Sequence, residues 1–287
     1  MRKTTVSTVI LLVVLLAAPA LGQDPGEAFE RGRQLLQQGD VDKAIAQFSE
    51  AIRLHPKLVE AYSHRGSAHW EKGDFESAVA DYTRAIELDS DSADGYYNRG
   101  LAYLSQDAAD KAIADLSEAI RLNPRYTEAY LSRGSIFGEQ GNFSQAIADC
   151  SRAVQLEPTR AEAYFHRGIV YMDHDQWDRA IADFTRAIAL DRQDAEAYVN
   201  RANCHWQKDS PERAIADCTA AMRVDPSLGR AYYFRGVAYI DRSEWDRALA
   251  DLNRAVELSP DDVDAYFARG SVHQERADAE KAIADYD

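Results

Sequence analysis

Apolar and small residues recur along this chain at the spacing of a helix surface, in paired segments separated by a break. In one such pair, Tyr62, Gly66 and His69 fall at i, i+4 and i+7, which places them on one face of a helix. Gly73 and Asp74 then interrupt the pattern, because Gly is favoured just past a helix C-terminus and Asp caps the next helix. A second apolar stripe follows at Ala78, Val79, Tyr82, Ala85, Ile86 and Leu88. The pattern predicts a helix, a tight turn and an antiparallel helix.

The same pattern returns along almost the whole chain. Its most regular member is an Arg that recurs every 34 residues, at Arg31, Arg65, Arg99, Arg133, Arg167, Arg201, Arg235 and Arg269. A fixed period of this length indicates an array of repeats rather than one globular core. We therefore predict repeats over 25–58, 59–92, 93–126, 127–160, 161–194, 195–228, 229–262 and, incomplete, 263–287.

Small residues at fixed positions predict close contact between the two helices of a repeat. Gly follows the repeated Arg in all copies except one, where Ala202 replaces it. The predicted second helix carries a larger residue at one fixed position: Phe48, Tyr82, Leu116, Cys150, Phe184, Cys218, Leu252 and Tyr286. Enlarging a small residue in such an interface costs about 1–3 kcal/mol, which explains why these positions vary so little.

The pattern of an aromatic residue, Gly and a second aromatic residue, followed by Ala-x3-Phe and Pro on this period, resembles the tetratricopeptide repeat. The resemblance covers about 25–287, although Tyr stands where the family often has Trp, and Arg where it often has Leu. It implies an all-α fold, a right-handed superhelical solenoid of helix-turn-helix repeats. It also implies that first helices line a concave face, and that this face binds peptides or protein segments.

Residues 1–22 differ in composition from the array. Arg2 and Lys3 precede an apolar run over 6–16, and small residues follow over 17–22. This three-part pattern predicts a secretory signal peptide, with cleavage after Gly22 or, alternatively, after Ala20. The apolar run is short for a membrane span of about 20 residues, so an uncleaved membrane anchor is the alternative. We expect an exported protein, either periplasmic or secreted.

The charge balance restricts the class of partner. The formal net charge is −15, from 48 Asp and Glu against 33 Lys and Arg. Such a chain has no electrostatic attraction for nucleic acid or for an anionic membrane. The acidic surface either keeps an exported protein soluble or favours a basic partner.

The repeated Arg is matched by an Asp that recurs on the predicted second helices, at Asp81, Asp115, Asp149, Asp183, Asp217, Asp251 and Asp285. Gln47 takes this position in the first repeat. We expect each Arg to pair with an Asp of its own or a neighbouring repeat. The alternative is a basic strip that holds an acidic ligand.

A Tyr stands three residues before the repeated Arg in the second to eighth repeats, as Tyr62 does before Arg65, and we call it the anchor Tyr. Residues near the anchor Tyr vary between repeats, whereas the packing positions do not. By the resemblance they lie on the inner face, where they are available for recognition or, alternatively, are buried by neighbouring repeats. We expect a partner to contact Trp70, Tyr97, Asn98, Leu101, Leu131, Phe165, Ile169, Met172, Asn200, Asn203, Trp206 and Tyr233.

The charged residues next to these positions indicate the type of partner. Residues two before each anchor Tyr are acidic at Glu60, Asp94, Glu128, Glu162, Glu196 and Asp264, with Arg230 as the exception. The family's clamp for a C-terminal carboxylate needs inward-pointing Lys and Arg, so we do not expect one here. A protein or peptide ligand with an apolar stripe and basic flanks fits these charges better.

The sequence indicates no catalytic residues, cofactor or metal site. The seven His residues lack partners at metal-ligand spacing, and no nucleophile motif or phosphate loop is present. Cys150 and Cys218 occupy packing positions and are expected to be buried; a disulfide between Cys204 and Cys218 stays open.

Two functions are consistent with this sequence. The favoured one is an exported, non-enzymatic scaffold that binds a peptide or protein segment in the concave groove. The alternative is the recruitment portion of a longer exported enzyme or of a membrane-tethered assembly factor, because the last repeat stops inside its second helix and we expect a fragment. The sequence does not fix the oligomeric state.

Overall fold

The computed structural model describes residues 24–287, and the predicted signal peptide lies outside this range. Within it the chain forms sixteen helices and no strand, which confirms the all-α expectation. The chain divides into two compact units, the first ending at Ser90 and the second covering Asp91–Asp287. The first unit contains α1 (Pro25–Gln37), α2 (Val41–Leu54), α3 (Val59–Glu71) and α4 (Phe75–Leu88).

The second unit holds twelve helices in the same alternating order. They are α5 (Ala93–Leu104), α6 (Ala109–Leu122), α7 (Thr127–Glu139), α8 (Phe143–Leu156), α9 (Ala161–Asp173), α10 (Trp177–Leu190), α11 (Ala195–Gln207), α12 (Pro211–Val224), α13 (Gly229–Asp241), α14 (Trp245–Leu258), α15 (Val263–Glu275) and α16 (Ala279–Tyr286). Odd-numbered helices are the first helices of repeats, and even-numbered helices are the second ones. No helix in the described range is long and apolar enough to cross a bilayer.

The two kinds of helix form two layers in the second unit. Each first helix packs against the second helix of its own repeat and, from α7 onwards, against the second helix of the repeat before. Successive first helices also contact one another directly from α7 to α15, whereas no comparable packing joins successive second helices in the described residues. The first helices therefore form the more tightly closed side of this unit, which we call the inner face.

The turn inside each repeat uses one backbone conformation eight times. Gly39, Gly73 and Gly141 have positive φ there, and so do the equivalent non-glycine residues Asp107, Asp175, Asp209, Ser243 and Ala277. The N–H of the next residue donates to a carbonyl five residues back, as from Asp74 to His69 at 2.9 Å, and this bond closes the helix end. Tight packing of the two helices holds the turn even where no glycine relieves the strain.

The Gly that follows the repeated Arg permits the close approach of the two helices that its position predicts. A Cβ atom added to Gly168 would lie 2.8 Å from the ring of Phe184, well inside contact distance. Ala202, which carries a real Cβ atom at the equivalent position, faces the smaller Cys218 instead of an aromatic ring. The pair of residues at this contact, rather than either one alone, sets the distance between the two helices.

The repeated Arg joins three helices. The Arg167 guanidinium donates to both carboxylate oxygens of Asp183 in its own repeat, at 2.7 and 2.8 Å, and its third nitrogen donates to the Ser151 hydroxyl of the preceding repeat at 3.2 Å. The same third contact joins Arg65 to Ser49, Arg133 to Ser117, Arg201 to Thr185, Arg235 to Thr219 and Arg269 to Asn253. The pairing of each Arg with an Asp is confirmed for the second to eighth repeats.

Aromatic rings and hydroxyl groups complete this arrangement. The guanidinium carbon of Arg167 lies 5.8 Å from the ring centres of Tyr164 and Tyr171, which lie one helical turn to either side. The Tyr164 hydroxyl reaches the carbonyl of Pro158 at 3.2 Å and ties the turn between repeats. These contacts give a physical reason for Tyr, which here takes a position where the family often has Trp.

The first repeat lacks the arrangement. Arg31 pairs with Glu27 of its own helix at 3.3 Å, and both side chains are more than half exposed. Gln47 replaces the Asp, and Ala28 replaces the anchor Tyr. Such an exposed pair contributes under about 1 kcal/mol to stability.

A second set of ion pairs, which the sequence pattern did not predict, joins successive repeats at their turns. In each pair, the residue that follows the first helix of one repeat forms an ion pair with an acid in the first turn of the second helix of the repeat before. The pairs are Lys72 with Asp42, Lys208 with Asp178, Arg242 with Glu212 and Arg276 with Asp246. These pairs are exposed to solvent, so they add little stability individually. They engage four of the cations at the turns between the helices of a repeat.

The buried Arg–Asp pair gives a test of the fold. Asp183→Ala should lower the free energy of unfolding by about 3–5 kcal/mol, because it leaves the Arg167 guanidinium largely buried without its carboxylate. Only 6% of Asp183 is exposed. Urea unfolding followed by circular dichroism measures the change, with Glu27→Ala as the exposed-pair control. Equal, small losses in the two variants would show that the pair does not hold the repeats together.

Candidate functional site

The inner face of the second unit carries most of the residues predicted to contact a partner. Nine of them lie half-buried on its first helices: Tyr97, Asn98, Leu101, Phe165, Ile169, Met172, Asn203, Trp206 and Tyr233. Trp70 lies on α3 of the first unit and is 44% exposed. Half-burial means that these side chains contribute to packing and still present a surface.

Two predicted contact residues are buried, and this corrects the expectation for them. Leu131 is 4% exposed and belongs to a core cluster with Phe137 and Cys150. Asn200 is 3% exposed, and its side-chain oxygen accepts a hydrogen bond from Arg230 at 3.1 Å. Neighbouring repeats pack over these positions, so Asn200 offers no accessible surface to a ligand, and Leu131 exposes only a small part of its side chain.

Polar contacts fix several of the remaining residues. The indole N–H of Trp206 donates to the Asp241 carboxylate at 2.6 Å, across two successive first helices. The Asn203 amide nitrogen lies 3.7 Å from the Met172 sulfur. These bonds orient the apolar side chains in advance, which lowers the entropy lost when a partner binds.

A cavity of about 250 Å³ opens between α5, α7 and α9 on the inner face. Its apolar lining consists of Tyr97, Leu104 and Leu131. Its polar lining consists of Glu128, Ser132, Ser135, Arg160, Glu162 and His166. The cavity therefore combines a hydrophobic wall with a cluster of charged groups.

Arg160 is the central charge of this cluster. It is the residue that immediately precedes α9, so its side chain reaches both α7 and α9. One guanidinium nitrogen donates to Oε1 of Glu128 at 2.6 Å, and two others donate to Oε2 of Glu162 at 2.9 and 2.6 Å. The hydrogen bond from Arg160 lowers the pKa of Glu128 and keeps this carboxylate ionised at neutral pH.

His166 lies against the same cluster. Its Nδ1 atom is 3.2 Å from the Ser135 hydroxyl, and its Nε2 atom is 3.7 Å from Oε1 of Glu162. Burial lowers the pKa of His166, which keeps the imidazole neutral at pH 7. Ser, His and Glu in this order resemble a hydrolase triad, but Ser135 lies inside α7, where backbone N–H groups are bonded within the helix and form no oxyanion hole.

Carboxylates border the inner face at both ends of the first helices. Asp94, Glu128, Glu162, Glu196 and Asp264 occupy first turns. Glu139, Asp173, Asp241 and Glu275 are last residues of their helices, exposed, and form no ion pair within the described residues. Acids at a helix C-terminus oppose the helix dipole at a cost of about 0.3–1 kcal/mol each, so helix stability does not explain them.

No group of three or more His, Cys, Asp or Glu residues in the described range is arranged to hold a metal ion. The three cysteines are free thiols and buried, so Cys204 and Cys218 form no disulfide here. Burial raises the pKa of each thiol to about 12, which leaves these sulfurs protonated and unreactive.

The chain belongs to the tetratricopeptide repeat family. A family model described as TPR repeat matches residues 32–73, 69–107, 134–175 and 236–276, which together cover more than half of the chain. Two further models, both described as Tetratricopeptide repeat, match 165–229 and 93–126. A comparison with curated protein sequences returned no match.

Solved structures confirm the repeat fold. A tetratricopeptide repeat protein from Parabacteroides merdae is 20% identical, with a TM-score of 0.68 over 88% of this chain and 99% of its own. YrrB, described as a TPR protein with an unusual peptide-binding site, is 23% identical, with a TM-score of 0.54 over 68% and 97%. PilF of Pseudomonas aeruginosa is 17% identical, with a TM-score of 0.64 over 77% and 97%. At these identities the likeness establishes the fold alone.

The sequence pattern did not identify Arg160, Ser132 or His166 as members of a site. A signal for Arg160 was available, because the residue before the first helix is otherwise Leu58, Ser92, Tyr126, Asp194, Leu228 or Asp262. Arg160 is the one cation at this position in the second to eighth repeats. The approach of α5, α7 and α9 that forms the cavity is a tertiary feature without such a signal.

The buried imidazoles predict a pH-dependent stability. Burial lowers the pKa of His166, beside Glu162 and Arg160, and of His205, beside Asp217 and Arg201. The unfolded chain, with ordinary imidazole pKa values near 6.5, then binds more protons than the folded chain at mildly acidic pH. Stability should therefore rise as pH increases from about 5 to 7.

Urea unfolding at a series of pH values checks this expectation. The variant His166→Gln, His205→Gln should show a smaller rise over the same interval, because it removes both titrating groups. An unchanged rise in the variant would assign the pH dependence to other residues.

Proposed function

We propose that this chain is an exported, non-enzymatic scaffold that binds a peptide or protein segment on the inner face of its second unit. One observation carries the proposal. The same face holds half-buried aromatic residues that are oriented before binding, and carboxylates that have no cationic partner. Trp206 and Tyr233 supply large contact areas, and Glu139 and Asp173 supply charge. The peptide-binding site of YrrB, another protein of this fold, is a precedent that supports the proposal.

The charges define the class of partner. Apolar residues in the middle of the first helices lie between acidic first turns and acidic last residues. A segment with apolar side chains along its centre and Lys or Arg on its flanks complements this arrangement, whereas an acidic segment is repelled. The net charge of −15 further favours encounter with basic partners.

Charge reversal at the unpaired acids tests the proposal. The probe is a random 12-residue peptide library displayed on phage, which is selected for binding to the immobilised protein comprising residues 24–287. Glu139→Lys, Asp173→Lys should weaken binding of the selected peptides about tenfold, since two favourable charges become unfavourable. Lys is favourable at a helix C-terminus, so the variant should stay folded.

The matched control changes net charge equally on second helices. Asp110→Lys, Glu280→Lys alters exposed acids on α6 and α16 and should leave the affinity within about twofold. Equal losses in both double variants would indicate a general charge effect and contradict binding on the inner face. Failure of the library to yield any peptide would contradict the peptide-binding function itself.

Export is proposed from the composition of residues 1–22. N-terminal sequencing of the native mature protein tests it. A start at Gln23, or at Leu21, is the expected result. A chain that retains Met1 would contradict cleavage and favour the membrane-anchored alternative.

A further inference from the structure

We infer that the 250 Å³ cavity between α5, α7 and α9 receives one cationic side chain, a lysine or an arginine, of the segment bound on the inner face. This inference rests on the function proposed above and specifies which part of the bound segment enters which part of the face. It assigns Glu128 and Glu162 as the groups that recognise the cation.

The charges of the lining favour a cation. Two carboxylates, Glu128 and Glu162, face one guanidinium, Arg160, while burial keeps His166 neutral. The lining therefore has a net charge of about −1 at pH 7, since only the carboxylates and the guanidinium are ionised. A cation entering this cavity compensates the excess charge, whereas an anion adds to it.

The hydrogen bonds leave acceptors for that cation. Arg160 bonds to Oε1 of Glu128 and to Oε2 of Glu162. The second oxygen of each carboxylate lies outside the hydrogen bonds of the guanidinium, and the one on Glu162 is 3.7 Å from His166. An ammonium or guanidinium group binds such oxygens through charge-assisted hydrogen bonds.

Size and apolar lining restrict the ligand to one long side chain. The volume lies below the range of about 300–1,000 Å³ that is typical of small-molecule sites. The methylene stem of a lysine or arginine fits against Tyr97, Leu104 and Leu131, while its charged end reaches the carboxylates. A purely apolar side chain would desolvate Glu128 and Glu162 without offering a hydrogen bond, which is costly.

Peptide selection with a matched variant tests this inference. The phage-displayed 12-residue library is selected against the wild type, against Glu128→Gln, Glu162→Gln, and against Asp110→Asn, Glu280→Gln. The last variant removes two exposed acids from first turns of second helices, away from the inner face. Circular dichroism and urea unfolding establish that all three proteins are folded.

We expect the wild type and the control variant to select Lys or Arg at one fixed distance from the apolar residues, and the cavity variant to lose this preference. Replacing that Lys by norleucine should weaken binding about tenfold to the wild type and little to the cavity variant. Retention of the cationic preference by the cavity variant would overturn the inference, and so would equal norleucine effects on the two proteins.

A second variant, Arg160→Gln, should change the peptide affinity in the opposite direction. It removes the cation that competes for the two carboxylates, so a selected Lys peptide should bind more tightly than to the wild type. Weaker binding would overturn the inference. Peptides that bind the inner face without a preferred cation would also overturn it while leaving the proposed function intact, and the absence of any selected peptide would contradict both.

Discussion

The interaction on which the rest of the structure depends is the bond network of the repeated Arg. Each guanidinium has five donors in a rigid plane, and Arg167 directs them at a carboxylate of its own repeat and at a hydroxyl of the preceding one. In the equivalent contact of Arg235, the acceptor is the Thr219 hydroxyl. This hydroxyl donates its own hydrogen to the carbonyl of Ile215 at 2.7 Å, so its oxygen remains available to accept. One side chain thus joins three helices by hydrogen bonds, and the glycine beside it lets the two helices of its repeat approach closely. Within each unit the spacing between repeats follows from this geometry.

Because the packing positions carry the stability, the inner face is free to vary. The difference between Arg167 and Arg160 illustrates the division. Arg167 lies between two Tyr rings in a position shared by the second to eighth repeats, and every one of its nitrogens serves the stacking. Arg160 occurs in one repeat, and its partners Glu128 and Glu162 line a cavity that the stacking does not need. The same residue type is structural in one position and contributes to a candidate site in the other.

The inner face is more rigid than an open groove of isolated side chains. Its aromatic residues are half-buried, and the Trp206 indole is bonded to Asp241. Such a surface loses little conformational entropy on binding, so modest contacts suffice for recognition. The acids at the C-terminal ends of first helices oppose the helix dipole and lack ion-pair partners in the described residues, so helix stability does not explain them. In the proposed function, charge selects the partner, and the oriented apolar side chains supply the contact area.

The sequence by itself determined the repeat period, the two helices of each repeat, and the pairing of Arg with Asp. These features depend on local periodicity and on identical contacts made in many repeats, and both leave a regular pattern in the sequence. Only the tertiary structure decided which inner-face residues are accessible. Leu131 and Asn200 follow the same pattern as their exposed counterparts, yet neighbouring repeats bury them. Phe267, at the position equivalent to Leu131, is 66% exposed. The cavity is likewise tertiary, since its lining residues come from three helices spaced 34 residues apart and from Arg160, which precedes the last of them. Burial depends on how closely helices from different repeats approach, and that distance is set by side chains remote in sequence.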